Sequence, residues 1–248
     1  MFGLFKKKPE KEKRHTNFNY DSIMVDMHSH VLPGIDDGAK TPEDSIVLVR
    51  KMMELGIKKI IATPHIMVDF YRNTPETINN ALHILKTELA KENIDIPVEA
   101  AAEHYFDETF EARVEEHRLL TMGDNYALFE FSFINKPPNA ISVIQKMNDR
   151  GYKPILAHPE RYPYMDLEQF KNLHDWGCNF QLNTISLTGY YGRESKKLAE
   201  SLIDNELIDF ISSDMHHPKH AAALKDALHT TYIEKLLFDY PLKNTLLM

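Results

Sequence analysis

The sequence predicts an α/β fold, a distorted barrel of seven strand–helix units. Three observations carry this expectation. Short apolar runs recur seven times from Ser22 onward, amphipathic helical patterns separate them, and the composition does not break along the way. Continuous apolar runs mark strands buried on both faces, as in a parallel sheet flanked by helices. Seven units are one short of the usual barrel number, so distortion is expected, and an open doubly wound sheet is the alternative. Residues 1–21 read as a basic leader and residues 22–248 as the barrel.

The strand candidates, in order, are "SIMVDMHSH", "KKIIATPH", "IPVEAAAEH", "YALFEFS", "KPILAHPER", "CNFQLNTIS" and "IDFISSDMH". After the first, Thr41, Pro42 and Asp44 supply an N-cap, a proline at the first helical position and a capping-box acid. Ile46, Val49, Met52 and Met53 then form an apolar stripe, and Gly56 ends the helix. Thr74 and Pro75 repeat the start signal ahead of Ile78, Leu82, Leu85 and Leu89.

Composition narrows the function classes. Hydrophobic residues make up 43% and charged residues 27%, as in an ordinary soluble globular chain. No apolar run approaches a membrane span. A net charge of −8 argues against a broad nucleic-acid surface. The single cysteine, Cys178, excludes an internal disulfide framework and fits a reducing compartment such as the cytoplasm. The leader places Phe2, Leu4 and Phe5 ahead of six basic and two acidic residues between Lys6 and Arg14. A secretory signal has the opposite order. The bland reading is a disordered leader; the sharper one is weak contact with an anionic membrane surface through residues 2–14.

The strand ends carry the chemistry. They are His28 with His30, His65, Glu103, Glu130, His158 with Arg161 just after, Asn183, and Asp214 with His216. In a barrel the C-terminal strand ends converge on one mouth, where active sites sit. A lone histidine at a strand end is usually only a satisfied polar residue. The period-two pair His28 and His30 is stronger, because both rings leave the same side of a strand. Glu130 and Asp214 stand in apolar strands, where a carboxylate is costly unless paired or metal-bound. Together these residues have the composition of a metal cluster.

The segments "MVDMHSH", "ATPH", "AAEHYF", "ALFEFS", "AHPERY" and "SSDMH" resemble the polymerase-and-histidinol-phosphatase (PHP) superfamily. Within it, "DMHSHVLPGIDDGAKTPEDS", "LAHPERY" and "SSDMHH" are similar to the capsule-associated bacterial protein-tyrosine phosphatases. The resemblance runs in order from Met24 to His217 and implies a barrel of the PHP type holding three divalent metal ions. His28, His30, Glu103 and Asp214 would hold the first. Glu103 would bridge to the second, completed by Glu130 and His158. Asp37, His65 and His216 would hold the third. Manganese is the usual ion of the family, and iron or zinc suits the same nitrogen and oxygen donors. Pro33, Gly34 and Gly38 would turn Asp37 back into the cluster, with Asp36 as a turn residue or a support for a ligand.

The same resemblance implies metal-assisted hydrolysis of phosphotyrosine on proteins. The substrate would be the tyrosine-rich tail of a bacterial tyrosine kinase that controls exopolysaccharide assembly. The bound ions would make the pocket positive inside an acidic chain, suiting a phosphate dianion. Arg161, Asp37 and His216 are the expected catalytic residues. Arg161, Phe70, Tyr71, Arg72 and Lys219 are the expected substrate contacts. The family pattern places an arginine shortly after "DMH"; Lys219 stands there instead, and lysine cannot form a two-pronged phosphate clamp. The general acid, if there is one, is not legible.

Two other functions share parts of this reading. One is a small-molecule phosphomonoesterase, for example one acting on histidinol phosphate, with the same metal site. The other is a non-catalytic binding module with structural metals, disfavoured by an open cluster. A cysteine-dependent phosphatase needs an arginine six positions after its nucleophile, and Thr184 stands six after Cys178. Cys178 is therefore expected to be a small core residue.

Overall fold

The computed structural model describes residues 18–248. All the hydrogen-bonded strand pairs are parallel. The strands are β1 (Val25–Asp26), β2 (Lys59–Ala62), β3 (His65–Ile66), β4 (Val98–Ala100), β5 (Glu103–Tyr105), β6 (Tyr126–Glu130), β7 (Lys153–Ala157), β8 (Asn179–Asn183) and β9 (Phe210–Ser212). They form two ladders, β1-β2-β4 and β3-β5-β6-β7-β8-β9. β2 and β3 belong to one apolar run, interrupted at Thr63–Pro64, where proline has no N–H to give. β4 and β5 are likewise halves of one run. The nine short strands are thus the seven expected units.

The ring closes between its last and first units. Asp214 N donates to His28 O at 2.9 Å, and His30 N donates to Met215 O at 2.9 Å. A parallel bridge between Ser29 and Met215 accompanies them. This is the distorted seven-unit barrel, not the open sheet.

Helices pack around the outside. α1 (Pro42–Glu54) and α2 (Pro75–Lys91) start at Thr41 and Thr74, each in a reciprocal capping box. α1 buries Ile46, Leu48, Val49 and Met52, so its stripe faces the ring, and Gly56 follows its end with φ +101°. The remaining helices are α3 (Phe110–Glu115), α4 (Ala140–Asp149), α5 (Leu167–Asp175), α6 (Arg193–Asp204), α7 (Pro218–Ala227) and α8 (Thr231–Phe238). No helix among the described residues is long and apolar enough to cross a membrane.

Inside the ring lies a smaller apolar cluster that includes Val25, Ile61, Ala101, Leu128, Ile155 and Phe210. Leu247 joins it from the 3-10 turn Asn244–Leu247, which seals the end of the barrel opposite the histidines. Asn244 is fully buried there. Its Nδ2 donates to Val25 O at 3.0 Å and Ile211 O at 2.8 Å, and its Oδ1 accepts from Ile211 N at 3.1 Å. Lys59 Nζ adds a bond to Leu247 O at 2.7 Å.

The leader boundary shifts. Tyr20, expected in the leader, is 1% exposed, and its hydroxyl donates to Leu224 O at 2.7 Å. Phe18 packs edge-on against Phe238. Local charge and polarity hid these contacts, whose partners lie more than two hundred residues away. The membrane contact expected of residues 2–14 lies outside the described residues.

Asn244 ties β1 to β9 through three backbone groups. Asn244→Ala should therefore lower unfolding free energy by about 2–4 kcal/mol, the scale of leaving buried polar groups unpaired. Denaturant midpoints at unchanged slope would measure it; an unchanged midpoint would mean the seal contributes nothing.

Candidate metal centre

The mouth of the barrel gathers all nine sequence-predicted ligands into a cavity of about 450 Å³ and its floor. Strand period two explains much of this. Ala101, Leu128, Ile61 and Phe210 point into the ring, and Glu103, Glu130, His65 and Asp214 stand in phase with them, higher up. His158 is one position out of phase with Ile155 and Ala157. Its backbone is left-handed, φ +33°, and that of Asp214 is also left-handed, φ +50°. Strained non-glycine residues of this kind concentrate at functional sites.

At the centre four atoms face one another. His28 Nε2 lies 3.2 Å from His30 Nε2, and 3.3 Å from both Glu103 Oε2 and Asp214 Oδ1. His30 Nε2 lies 3.5 and 3.4 Å from the same two oxygens. Such edges suit a tetrahedron around one ion with bonds of about 2.0–2.1 Å. Glu103 turns its other oxygen to His158 Nε2 at 3.0 Å, the disposition of a bridging carboxylate. His65 works on two sides: Nδ1 is 3.1 Å from Glu103 and 3.2 Å from Glu130, and Nε2 is 3.4 Å from Asp37 Oδ1. His216 Nε2 reaches the same Asp37 oxygen at 3.4 Å.

The donors fit metal ions by a second criterion. His65 Nδ1 and Glu103 Oε2 are buried with no hydrogen-bond partner. Buried polar atoms without one are rare unless an ion or water completes them.

Charge is concentrated here. Burial pushes the Glu103 carboxyl up, but His28 and His65 beside it hold it well below the usual range. Asp214 is lowered in the same way, burial being outweighed by His28 and His216. Burial depresses His30, yet Asp36 raises it to about 10. Protons and metal ions therefore compete for the same imidazoles.

Supporting residues aim the ligands. Asp36 Oδ2 accepts from His30 Nδ1 at 2.8 Å while its Oδ1 accepts from Gly38 N at 2.9 Å. Gln181 Oε1 lies 2.8 Å from His28 Nδ1. Each leaves Nε2 toward the cluster, as outer partners of metal-bound histidines do. Asn183 Nδ2 donates to Asp214 Oδ2 at 2.8 Å. Gly38 is required by close approach: a Cβ there would come within 2.0 Å of His30 O.

Arg161 stands at the rim. Its guanidinium carbon lies 4.2 Å from the ring centroids of both Phe133 and Tyr191, and Nη1 is 3.7 Å from Asp214 Oδ2. Both rings lie within cation–π range of the guanidinium. Tyr71 stacks on His65 with centroids 5.4 Å apart, and Tyr105 completes the aromatic lining.

Three expected substrate contacts do not line this cavity. Phe70 is 76% exposed, because the turn between Met67 and Tyr71 directs Tyr71 inward and Phe70 outward. Arg72 spends its Nε–H on Val68 O at 2.7 Å. Lys219 lies exposed in the first turn of α7. Sequence reasoning missed Gln181, Tyr105, Phe133, Tyr191, His217 and His220. Only Gln181 had a signal: it is polar and two before Asn183 in an otherwise apolar strand.

Fold and site define a parallel α/β barrel with a candidate carboxylate–imidazole metal site at the mouth. The chain belongs to the family described as Capsular polysaccharide synthesis, CpsB/CapC, whose pattern it matches over residues 24–241. It is 34% identical to the tyrosine-protein phosphatase YwqE of Bacillus subtilis, over 79% of this chain and 78% of that one. It is 29% identical to the tyrosine-protein phosphatase CpsB of Streptococcus pneumoniae, over 78% and 83%. A solved structure from the work on YwqE and CpsB, described as unique metal-dependent tyrosine phosphatases, matches with a TM-score of 0.78. Its identity is 30%, covering 90% of this chain and 94% of that one. A lactonase of Listeria monocytogenes shares the fold alone, with a TM-score of 0.53 at 13% identity, covering 92% and 95%.

Because Gly38 touches the His30 backbone, Gly38→Ala should displace a central ligand. Elemental analysis should find less metal per chain than in the wild type. Wild-type metal content would show that the loop can yield.

Proposed function

We propose that this protein is a metal-dependent protein-tyrosine phosphatase acting on the tyrosine-rich tail of a bacterial tyrosine kinase in the cytoplasm. The convergence of nine imidazole and carboxylate donors with Arg161 over one aromatic-lined mouth carries the reading. His28, His30, Glu103 and Asp214 would hold one divalent ion, Glu103, Glu130 and His158 a second, and Asp37, His65 and His216 a third, with manganese the favoured metal. Ions bound there would neutralise the phosphoryl oxygens and lower the pKa of an attacking water.

The chain's own residues do the rest. Arg161 binds the phosphoryl group. It is permanently charged and held against Phe133 and Tyr191, so little reorganisation is needed as charge develops. Tyr71, Tyr105 and Phe133 flank the leaving phenol with aromatic faces. A phenol, with a pKa near 10, departs with less protonation than an alkyl alcohol. Asp36 and Gln181 keep His30 and His28 presenting Nε2. Cys178 has no place in this scheme: it is 1% exposed, and burial pushes its thiol up, away from a reactive thiolate.

Turnover of a phosphotyrosine peptide and of histidinol phosphate, side by side with manganese, tests the reading. The peptide should be preferred; preference for histidinol phosphate would favour the small-molecule alternative. Arg161→Ala should keep its metal and lose about a hundredfold in turnover, as for one preorganised donor, and Arg161→Lys should recover only part. Metal loss in Arg161→Ala would refute this role. Cys178→Ser should keep nearly full turnover; an inactive but folded variant would revive a cysteine mechanism.

A further inference from the structure

A second cavity, of about 310 Å³, opens beside the metal centre. The two share Asp37, His216 and His217 as a common wall. The rest of the second cavity is different in kind. Ala39, Val47, Leu48 and Pro218 supply an apolar floor, with Lys40 and Asp44 at its edge. Both charges already serve the fold. Lys40 Nζ donates to Asp36 O at 2.9 Å, and Asp44 Oδ2 accepts from Lys40 N and Thr41 N at 3.2 Å each. Val47 is the exposed apolar residue of α1, 42% exposed.

We infer that this groove is a specificity subsite for an apolar side chain close in sequence to the phosphotyrosine of the substrate polypeptide. The inference rests on the phosphatase reading above and adds what that reading leaves open, namely which peptides are preferred. Continuity selects the occupant: whatever brings a phosphate to Asp37 and His216 carries its neighbouring residues past the other side of the same wall. An extended peptide advances about 3.3 Å per residue, so a residue one or two positions from the phosphotyrosine reaches an adjoining cavity. The committed edge charges leave burial of apolar surface as the main source of affinity, which favours leucine-like side chains over charged ones. A small phosphate ester cannot use the groove.

Val47 is neither a proposed metal ligand nor one of the rings against Arg161, so it can be changed without removing a group the chemistry uses. The test uses the full-length, manganese-loaded protein and phosphotyrosine peptides in which leucine, alanine or aspartate is placed in turn at the two positions on either side. Leucine at one of these positions should lower KM by about tenfold relative to alanine, the scale of burying one aliphatic side chain, and aspartate there should raise it. Val47→Glu should abolish the leucine preference and leave kcat/KM for free phosphotyrosine unchanged. Val47→Trp, which fills the groove without adding charge, should do the same and guards against misfolding of the first variant. Binding of the same peptides carrying a non-hydrolysable phosphonate, followed by calorimetry, should give the same order. Peptide turnover with no positional preference, or a preference intact in both variants, overturns the subsite alone. Failure to hydrolyse any phosphotyrosine compound overturns the phosphatase reading and the subsite with it.

Discussion

Glu103, Glu130 and Asp214 sit within a few ångströms of shared histidine partners, each no more than 3% exposed. Carboxylates so placed cannot all stay ionised without positive charge among them. Five histidines surround them, and His28 and His30 lie 3.2–3.5 Å from each other and from Glu103 and Asp214, a spacing that suits donors to one ion. The fold can be understood as the means of holding these groups together against their repulsion.

Ring closure does most of that work. His28 and His30 belong to the first strand unit and Asp214 and His216 to the last, and two backbone hydrogen bonds clamp the pairs side by side. Below them the apolar interior and the Asn244 seal fix the heights of the strands. Where regular period two would aim a ligand wrongly, at His158, the backbone turns left-handed, and it does so again at Asp214. Departures of this kind cost free energy and persist only when the surroundings over-determine them.

The centre is also graded outward. Buried amide and carboxylate groups at Gln181, Asn183 and Asp36 orient the ligands. Rings at the rim then lie against Arg161 and shape the approach to the donor cluster. This order, rigid donors inside and aromatic surface outside, suits a small charged group carried on a large planar one.

Much of this was legible in the sequence, for local reasons. Capping residues act within one helical turn, so Thr41 with Asp44 and Thr74 with Pro75 announced their helices. Residue type at a strand end survives any rearrangement, so His28, His30, His65, Glu103, Glu130, His158 and Asp214 could be named before their distances were known. Tertiary structure alone decided which atoms meet. The inward Tyr71 and outward Phe70 depend on one turn, the Phe133–Arg161–Tyr191 stack joins three separate loops, and Tyr20 finds Leu224 across the fold. Side-chain chemistry and short-range periodicity are properties of neighbouring residues, whereas these contacts arise only when a closed ring brings distant segments to one mouth.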